Sequence, residues 1–252
     1  MVTTRDWDAD SYDRVGGPMT AMAAAVVGRL VLAGDETVLD AGCGTGRVTE
    51  LLLERVPHGR VLAVDADPEM VRLARGNLAG RAEVRQVDLL ELQLDEPVDA
   101  ILSTATFHWI HDHQRLFGRL LSALRPGGRL VAQCGGEGNV SELRAAAEAV
   151  GAEEPFAPWF DGWSPPWYYA GAEETARRLK AAGFEDERAW LQPWPVRPED
   201  PAEYLATIPL GAQVQRLPER LRDAYVKAVV DRLAEPERIA YVRLNLDARK
   251  PR

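Results

Sequence analysis

Residues 37 to 46, Thr-Val-Leu-Asp-Ala-Gly-Cys-Gly-Thr-Gly, leave the chain few ways to fold. Val38 and Leu39 read as the end of a short buried strand that Asp40 closes, and Gly42, Gly44 and Gly46 follow at alternate positions. Residues without a Cβ let backbone come close to a ligand. An amphipathic helix is predicted next, with Val48, Leu51, Leu52 and Val56 at helical spacing. Strand, glycine loop and helix in this order form the opening unit of a nucleotide-binding α/β sheet.

The loop narrows the choice of nucleotide. Nicotinamide and flavin sites use G-x-G-x-x-G or A, whose third small residue packs the helix on the strand. Here Gly42-Cys43-Gly44-Thr45-Gly46-Arg47 puts the bulky Arg47 at that place, and no G-x-x-x-x-G-K-S/T is present for a phosphate-cradling loop. An acid at the strand end suits a ligand with a positive charge and hydroxyls, and repels a pyrophosphate.

Strand and helix signals then alternate as in a parallel doubly wound sheet. A second buried strand, 60–64, ends in Asp65, 23 residues beyond Gly42. Asp67 caps the following helix, with Pro68 at its first position and Glu69 near the positive dipole end, which leaves Asp65 free for ribose hydroxyls. The third strand, 82–87, ends in Asp88. The fourth, 98–102, runs into Ser103-Thr104-Ala105-Thr106-Phe107-His108-Trp109. A helix from about Asp112 stops at Arg125-Pro126-Gly127-Gly128, and 129–134 is the fifth strand.

As a set, these pieces resemble the class I S-adenosylmethionine-dependent methyltransferases over roughly residues 35 to 135. The resemblance implies an α/β fold with a Rossmann-like, doubly wound, mostly parallel seven-stranded sheet and helical cap insertions. It implies S-adenosylmethionine as cofactor, with Asp40, Gly42, Cys43, Gly44 and Gly46 near its methionine moiety. Asp65 and Ala66 would lie at the ribose, Asp88 and Leu89 near the adenine, and Ser103 and Thr104 along the far side. Trp7, Tyr12, the Phe107-His108-Trp109 tip and the helical inserts look like those of the trans-aconitate methyltransferase-like small-molecule group.

Beyond the fifth strand a helix is expected over 141–150, followed by Phe156 to Tyr169, rich in aromatics and proline and not regular helix. Trp159, Trp163, Trp167 and Tyr168 in it either wall the substrate pocket or cap the sheet edge. Next are expected a helix over 172–182, a sixth strand over 184–191, a capping-box helix from Asp200 and a longer one from about Pro218. The last strand, 239–246, alternates and is antiparallel in the family. The division expected is an N-terminal cap or lid, 1–34, and a methyltransferase domain, 35–252, with insertions at about 138–170 and 197–236. Trp7 and Tyr12 belong to the first piece, which either closes over the cofactor or packs on the sheet.

Methyl transfer from a sulfonium needs alignment first, and a base only when the acceptor is protonated. His108, at the tip of the fourth strand, is a base or a packing or orienting group, and Trp109 faces the acceptor or packs under the next helix. His111 and His113 read as solvated; no metal site is expected from this run. The D/N/S-P-P-Y/F/W of amino-methylating enzymes is missing after the fourth strand. A net charge of −9 speaks against nucleic acid. Two groups that donate through ring N–H suit an anion, so the expected acceptor is a small organic acid, methylated on a carboxylate. The alternative is a phenol, enol or other natural-product intermediate with His108 as base. A Rossmann oxidoreductase is disfavoured by Arg47, and an inactive cofactor-binding protein by the intact Asp40, Asp65 and Asp88. With two cysteines, no leader-like N-terminus and no stretch apolar enough to span a bilayer, a cytoplasmic protein off the membrane is expected. No feature of the sequence sets an oligomeric state.

Overall fold

The computed structural model describes residues 17–252; Trp7 and Tyr12 lie outside the described residues. Helix α1 (Gly17–Arg29) leads to strand β1 (Thr37–Ala41), helix α2 (Arg47–Arg55), β2 (Arg60–Asp65), α3 (Pro68–Leu78) and β3 (Glu83–Gln86). Then come β4 (Val98–Thr104), α4 (His113–Ala123) and β5 (Leu124–Gly135). With β6 (Glu185–Val196) and β7 (Ile239–Arg249), the described strands form one seven-stranded sheet, ordered β3-β2-β1-β4-β5-β7-β6, in which β7 is antiparallel to both neighbours. The order reverses between β1 and β4, so the glycine loop and the β4 tip share the crevice at the carboxyl ends of the strands.

The central strands are apolar on both faces because helices cover both. In β1, Val38 packs with Val26, Leu30 and Leu52 on one face, while Leu39 packs with Phe117 and Leu120 on the other. Arg29 fixes α1 to the sheet: it donates to Ala132 O at 2.8 Å, to the Asn245 side chain and to Asp247. Asp67 caps α3 through the N–H groups of Glu69 and Met70, as its sequence predicts.

Four local expectations are corrected. Strand β5 starts at Leu124 and runs through the expected Arg-Pro-Gly-Gly turn. A register shift opposite Val98–Ala100 and a left-handed Gly127 (φ 78°) absorb the bend, and Gly127 N–H bonds Lys250 O at 3.0 Å. Strand β6 (Glu185–Val196) runs past Leu191 through Pro193 and Pro195, which an edge strand tolerates because one side needs no donor. Within 156–169, Ala157–Phe160 forms a single helical turn (α6), with Pro158 near its start, where a missing N–H costs nothing. Between α8 (Pro201–Thr207) and α10 (Glu219–Val230) lies a further short helix, α9 (Gly211–Arg216).

The two inserted stretches share one hydrophobic cluster. Leu143 and Val150 of α5 (Ser141–Gly151) meet Phe156, Leu205, Leu217, Tyr225 and Val229 there. Helix α7 (Ala172–Ala182) belongs to the sheet instead, packing Leu179 into the core beside α4.

Candidate functional site at the strand tips

The glycine loop turns above β1 with Gly42, Gly44 and Gly46 all left-handed, at φ 85°, 54° and 91°. A Cβ at Gly42 would overlap the Thr106 side chain, and one at Gly46 would sit 3.1 Å from Leu78. Gly44 differs, with nothing within 4 Å of such a Cβ. It is the loop's open face. The N–H groups of Gly42 and Cys43 bond Val64 O at 2.8 and 2.9 Å, and Gly44 N–H bonds Asp65 Oδ2 at 2.9 Å.

Asp65 does not stand free: its other oxygen also accepts, from Asp67 N–H at 3.0 Å. Each carboxylate oxygen keeps a second lone pair for a hydroxyl. Burial raises its pKa, opposed by these backbone bonds. Asp40 lies wholly out of water: Oδ2 accepts from Thr49 Oγ1 at 2.7 Å, and the buried Oδ1 has no partner. Burial pushes its pKa up to about 7, against the Thr49 bond, with nearby Asp65 adding to the rise.

Other expected cofactor residues are built into the frame. Asp88 accepts from Leu90 N–H at 2.9 Å and caps a turn of 3-10 helix (Leu89–Glu91), with the Leu89 side chain in the core. Ala66 O faces Gln86 Nε2 at 3.3 Å. Ser103 does not face the crevice; its buried hydroxyl bonds Ala41 O at 2.6 Å and ties β4 to β1. Thr104 O lies 3.0 Å from Thr106 Oγ1, which also reaches Gly42 O at 3.2 Å and so joins the loop to the β4 tip.

Past Thr106 a 3-10 turn (Phe107–Trp109) carries His108, which is 8% exposed. Its Nδ1 accepts from Gly135 N–H at 3.3 Å, at the end of β5. A ring nitrogen that accepts carries no hydrogen, so the proton of the neutral ring sits on Nε2. Burial, then Arg243 and His113, holds the His108 pKa well below the usual value, so the ring stays neutral. Nε2–H meets no acceptor among the described residues.

Aromatic rings surround His108. Trp109 lies 5.0 Å and Tyr169 5.8 Å from it, Trp167 meets both of those rings at 6.2 Å, and Trp163 meets Trp167 at 6.3 Å. His108, Trp109, Trp163 and Trp167 are thus brought together. Tyr168 and Trp159 are not. Neighbours in extended chain point to opposite sides, and Tyr168 turns to Glu174, His111 and His113. Trp159 is 38% exposed. His113, expected in solvent, is buried, its Nε2 3.0 Å from Phe107 O. The site also holds Tyr169, Asn139 and Arg243, which the sequence reading passed over. None of the three left a signal: Arg243 shares the polar register of its strand with Tyr241, Asn245 and Asp247 and interrupts no apolar run.

The chain matches a methyltransferase domain family over residues 38–128. It is 34% identical over 187 residues to a trans-aconitate 2-methyltransferase of Methylobacterium nodulans, covering 74% of this chain and 67% of that one. It is 35% identical over 181 residues to the enzyme of the same name from Azoarcus sp., covering 69% and 70%. Among solved structures, Haemonchus contortus phosphoethanolamine N-methyltransferase 2 in complex with S-adenosyl-L-methionine superposes with a TM-score of 0.63 at 19% identity. That match covers 96% of this chain and 56% of the other, and is a likeness of fold.

Proposed function

The chain belongs to the trans-aconitate methyltransferase group of class I S-adenosylmethionine-dependent methyltransferases, and from that premise we propose that it methylates a carboxylate oxygen of a small organic acid. The observation that carries the reading is the state of His108. With Nδ1 engaged by Gly135 N–H, the ring offers Nε2–H as a donor and has no free lone pair to act as a base. A donor without a base suits an acceptor that arrives already ionised, as a carboxylic acid with a pKa of ~4 does near neutral pH. The relatives named for trans-aconitate support an acid of that kind.

The cofactor-facing residues fit the group. The orphaned Asp40 Oδ1 would take the ammonium of its methionine moiety, and open-faced Gly44 lets backbone approach. Asp65 would accept from the ribose hydroxyls, and Asp88 and Leu89 would border the adenine. Gly42, Cys43 and Gly46 shape the loop, and Ser103 and Thr104 hold β4 at the correct height. When bound, S-adenosylmethionine supplies a methyl on a positive sulfur, whose displacement leaves a neutral thioether. An acceptor carboxylate would meet that methyl already ionised, so no residue of the chain would have to move a proton. What the chain contributes is alignment: His108 Nε2–H orients the acceptor, and Trp109, Trp163 and Trp167 wall it.

The shared cluster of the two insertions supports reading 138–170 and 197–236 as one cap on a methyltransferase domain of residues 35–252. Two free, buried cysteines and a charge of −9 support a cytoplasmic enzyme acting on small molecules rather than nucleic acid. No helix among the described residues is long and apolar enough to cross a membrane. The test is a panel of carboxylic acids, phenols and amines incubated with S-adenosylmethionine and read by mass. Methyl esters should form from acids, trans-aconitate among them, in step with S-adenosylhomocysteine. Methylation confined to phenols, with a rate that collapses below pH 7, would replace this reading with general-base chemistry.

A further inference from the structure

Strand β7 places Arg243 directly opposite Gly135, the residue whose N–H sets the His108 tautomer. Arg243 is only 4% exposed. Its Nε is out of water without an acceptor, and no acid among the described residues forms an ion pair with it. The nearest compensation is the Tyr241 ring, 5.9 Å from the guanidinium carbon. A buried guanidinium without a counter-ion is among the costliest groups a fold can carry, because desolvation is not repaid. The other cations near the sheet end are not in this position. Arg29 is bonded to Asp247, Asn245 and backbone carbonyls, and Arg144, whose Nε is likewise without an acceptor, has Glu148 at 3.9 Å as counter-ion and lies over the Tyr169 ring.

Arg243 stands beside the proposed acceptor space, opposite Gly135. Its charge is felt by His108, Tyr169 and Cys134, which line the end of β5. A Cβ on Gly135 would come within 2.5 Å of Tyr169 and 2.9 Å of Asn139, so these groups converge on one point. A guanidinium fork engages both oxygens of a carboxylate at once. An oxygen held so gives up part of the charge and the lone pair that attack requires. The single donor His108 Nε2–H leaves the reacting carboxylate more open.

We propose that Arg243 is the counter-ion of a second, non-reacting carboxylate of the acceptor, and so selects di- or polycarboxylates over monoacids. This rests on the carboxylate-methylation reading for the reaction but not for the binding. The experiment measures binding by calorimetry, with S-adenosylhomocysteine present, of fumarate and of crotonate, in which a methyl replaces one carboxylate. Wild type should bind fumarate at least tenfold more tightly. Arg243→Met, which keeps an apolar stem and loses the charge, should remove that preference while leaving S-adenosylhomocysteine affinity and melting temperature no lower. Arg243→Lys, a point charge without the fork, should retain part of the preference and serves if the Met variant does not fold. Equal binding of the two acids by wild type, or a preference that survives in Arg243→Met, overturns the proposal. A preference that behaves as expected without any methyl ester in the product would instead refute the reaction assigned above and leave the Arg243 site standing.

Discussion

At Asp40 a carboxyl group lies out of water with one oxygen bonded to Thr49 and the other to nothing. Its pKa rises from 3.8 to about 7 on folding. The folded state therefore holds a proton that the unfolded chain releases, so this contribution to stability is complete below about pH 4, declines as pH rises, and is gone above about 7. Its ceiling is on the order of 4 kcal/mol. Asp40→Asn should flatten that decline, which urea unfolding at pH 4.5 and 7.5 measures. A ligand ammonium at Oδ1 favours the ionised form, so cofactor binding at pH 6 should release protons. Calorimetry in two buffers of different ionisation enthalpy reads this, and identical heats would remove Asp40 from the cofactor site. His108 has the opposite sign. Its pKa is depressed by burial, so the stability it lends is present above the usual histidine pKa of ~6.5 and is lost as pH falls. Asp65→Ala removes charge-assisted bonds worth ~1.5–3 kcal/mol each and should weaken cofactor binding at least tenfold by calorimetry in a folded variant.

At the scale of elements, the glycine loop separates two roles that share one conformation. Gly42→Ala forces a methyl into Thr106 and should destabilise the fold by several kcal/mol, on the order of an overpacked core site plus a strained φ. Gly44→Ala meets open space and carries only the left-handed penalty of ~1–2 kcal/mol. Thermal unfolding should therefore rank Gly42→Ala well below Gly44→Ala, while Gly44→Ala shows the larger loss of cofactor affinity relative to its stability change. Equal stability losses would mean that the loop is set by φ alone. This loop, the Asp67 cap and the strand order were legible because each rests on residues adjacent in sequence. The rest depends on partners far along the chain. Edge position decides that β6 runs through Pro193 and Pro195, and pairing with Lys250 lets β5 begin before Gly127. Tyr169 rather than Tyr168 meets His108 because one residue of register flips an extended chain, which composition does not reveal. Arg243 became legible only when β7 was set beside Gly135.

For the molecule as a whole, the sheet and the cap meet at β6 and β7, and the division of labour between them is open to experiment. The cap cluster is held by packing between the insertions: Tyr225 lies 5.3 Å from Phe156 and 5.4 Å from Phe160, and its hydroxyl donates to Ala147 O at 3.0 Å. Leu205 is fully buried there, and Tyr204 beside it donates to the Tyr241 hydroxyl on β7 at 3.1 Å. The proposed cofactor residues Asp40, Gly44 and Asp65 sit on β1, β2 and their loops, whereas Trp163, Trp167 and Tyr169 lie in the first insertion, where Tyr169 meets His108. Leu205→Ala leaves a cavity in the cap at a cost of ~2–5 kcal/mol. If that loss stays in the cap, the acceptor KM should rise severalfold while the affinity for S-adenosylmethionine, by calorimetry on the same preparation, stays within a factor of two. Hydrogen exchange should show the same split, with faster exchange over α5, α8 and α10 and unchanged protection of β1 and β2. A parallel fall in both affinities, with protection lost across the sheet, would show that cap and sheet unfold as one unit and that the cap cannot act as an independent wall of the acceptor site.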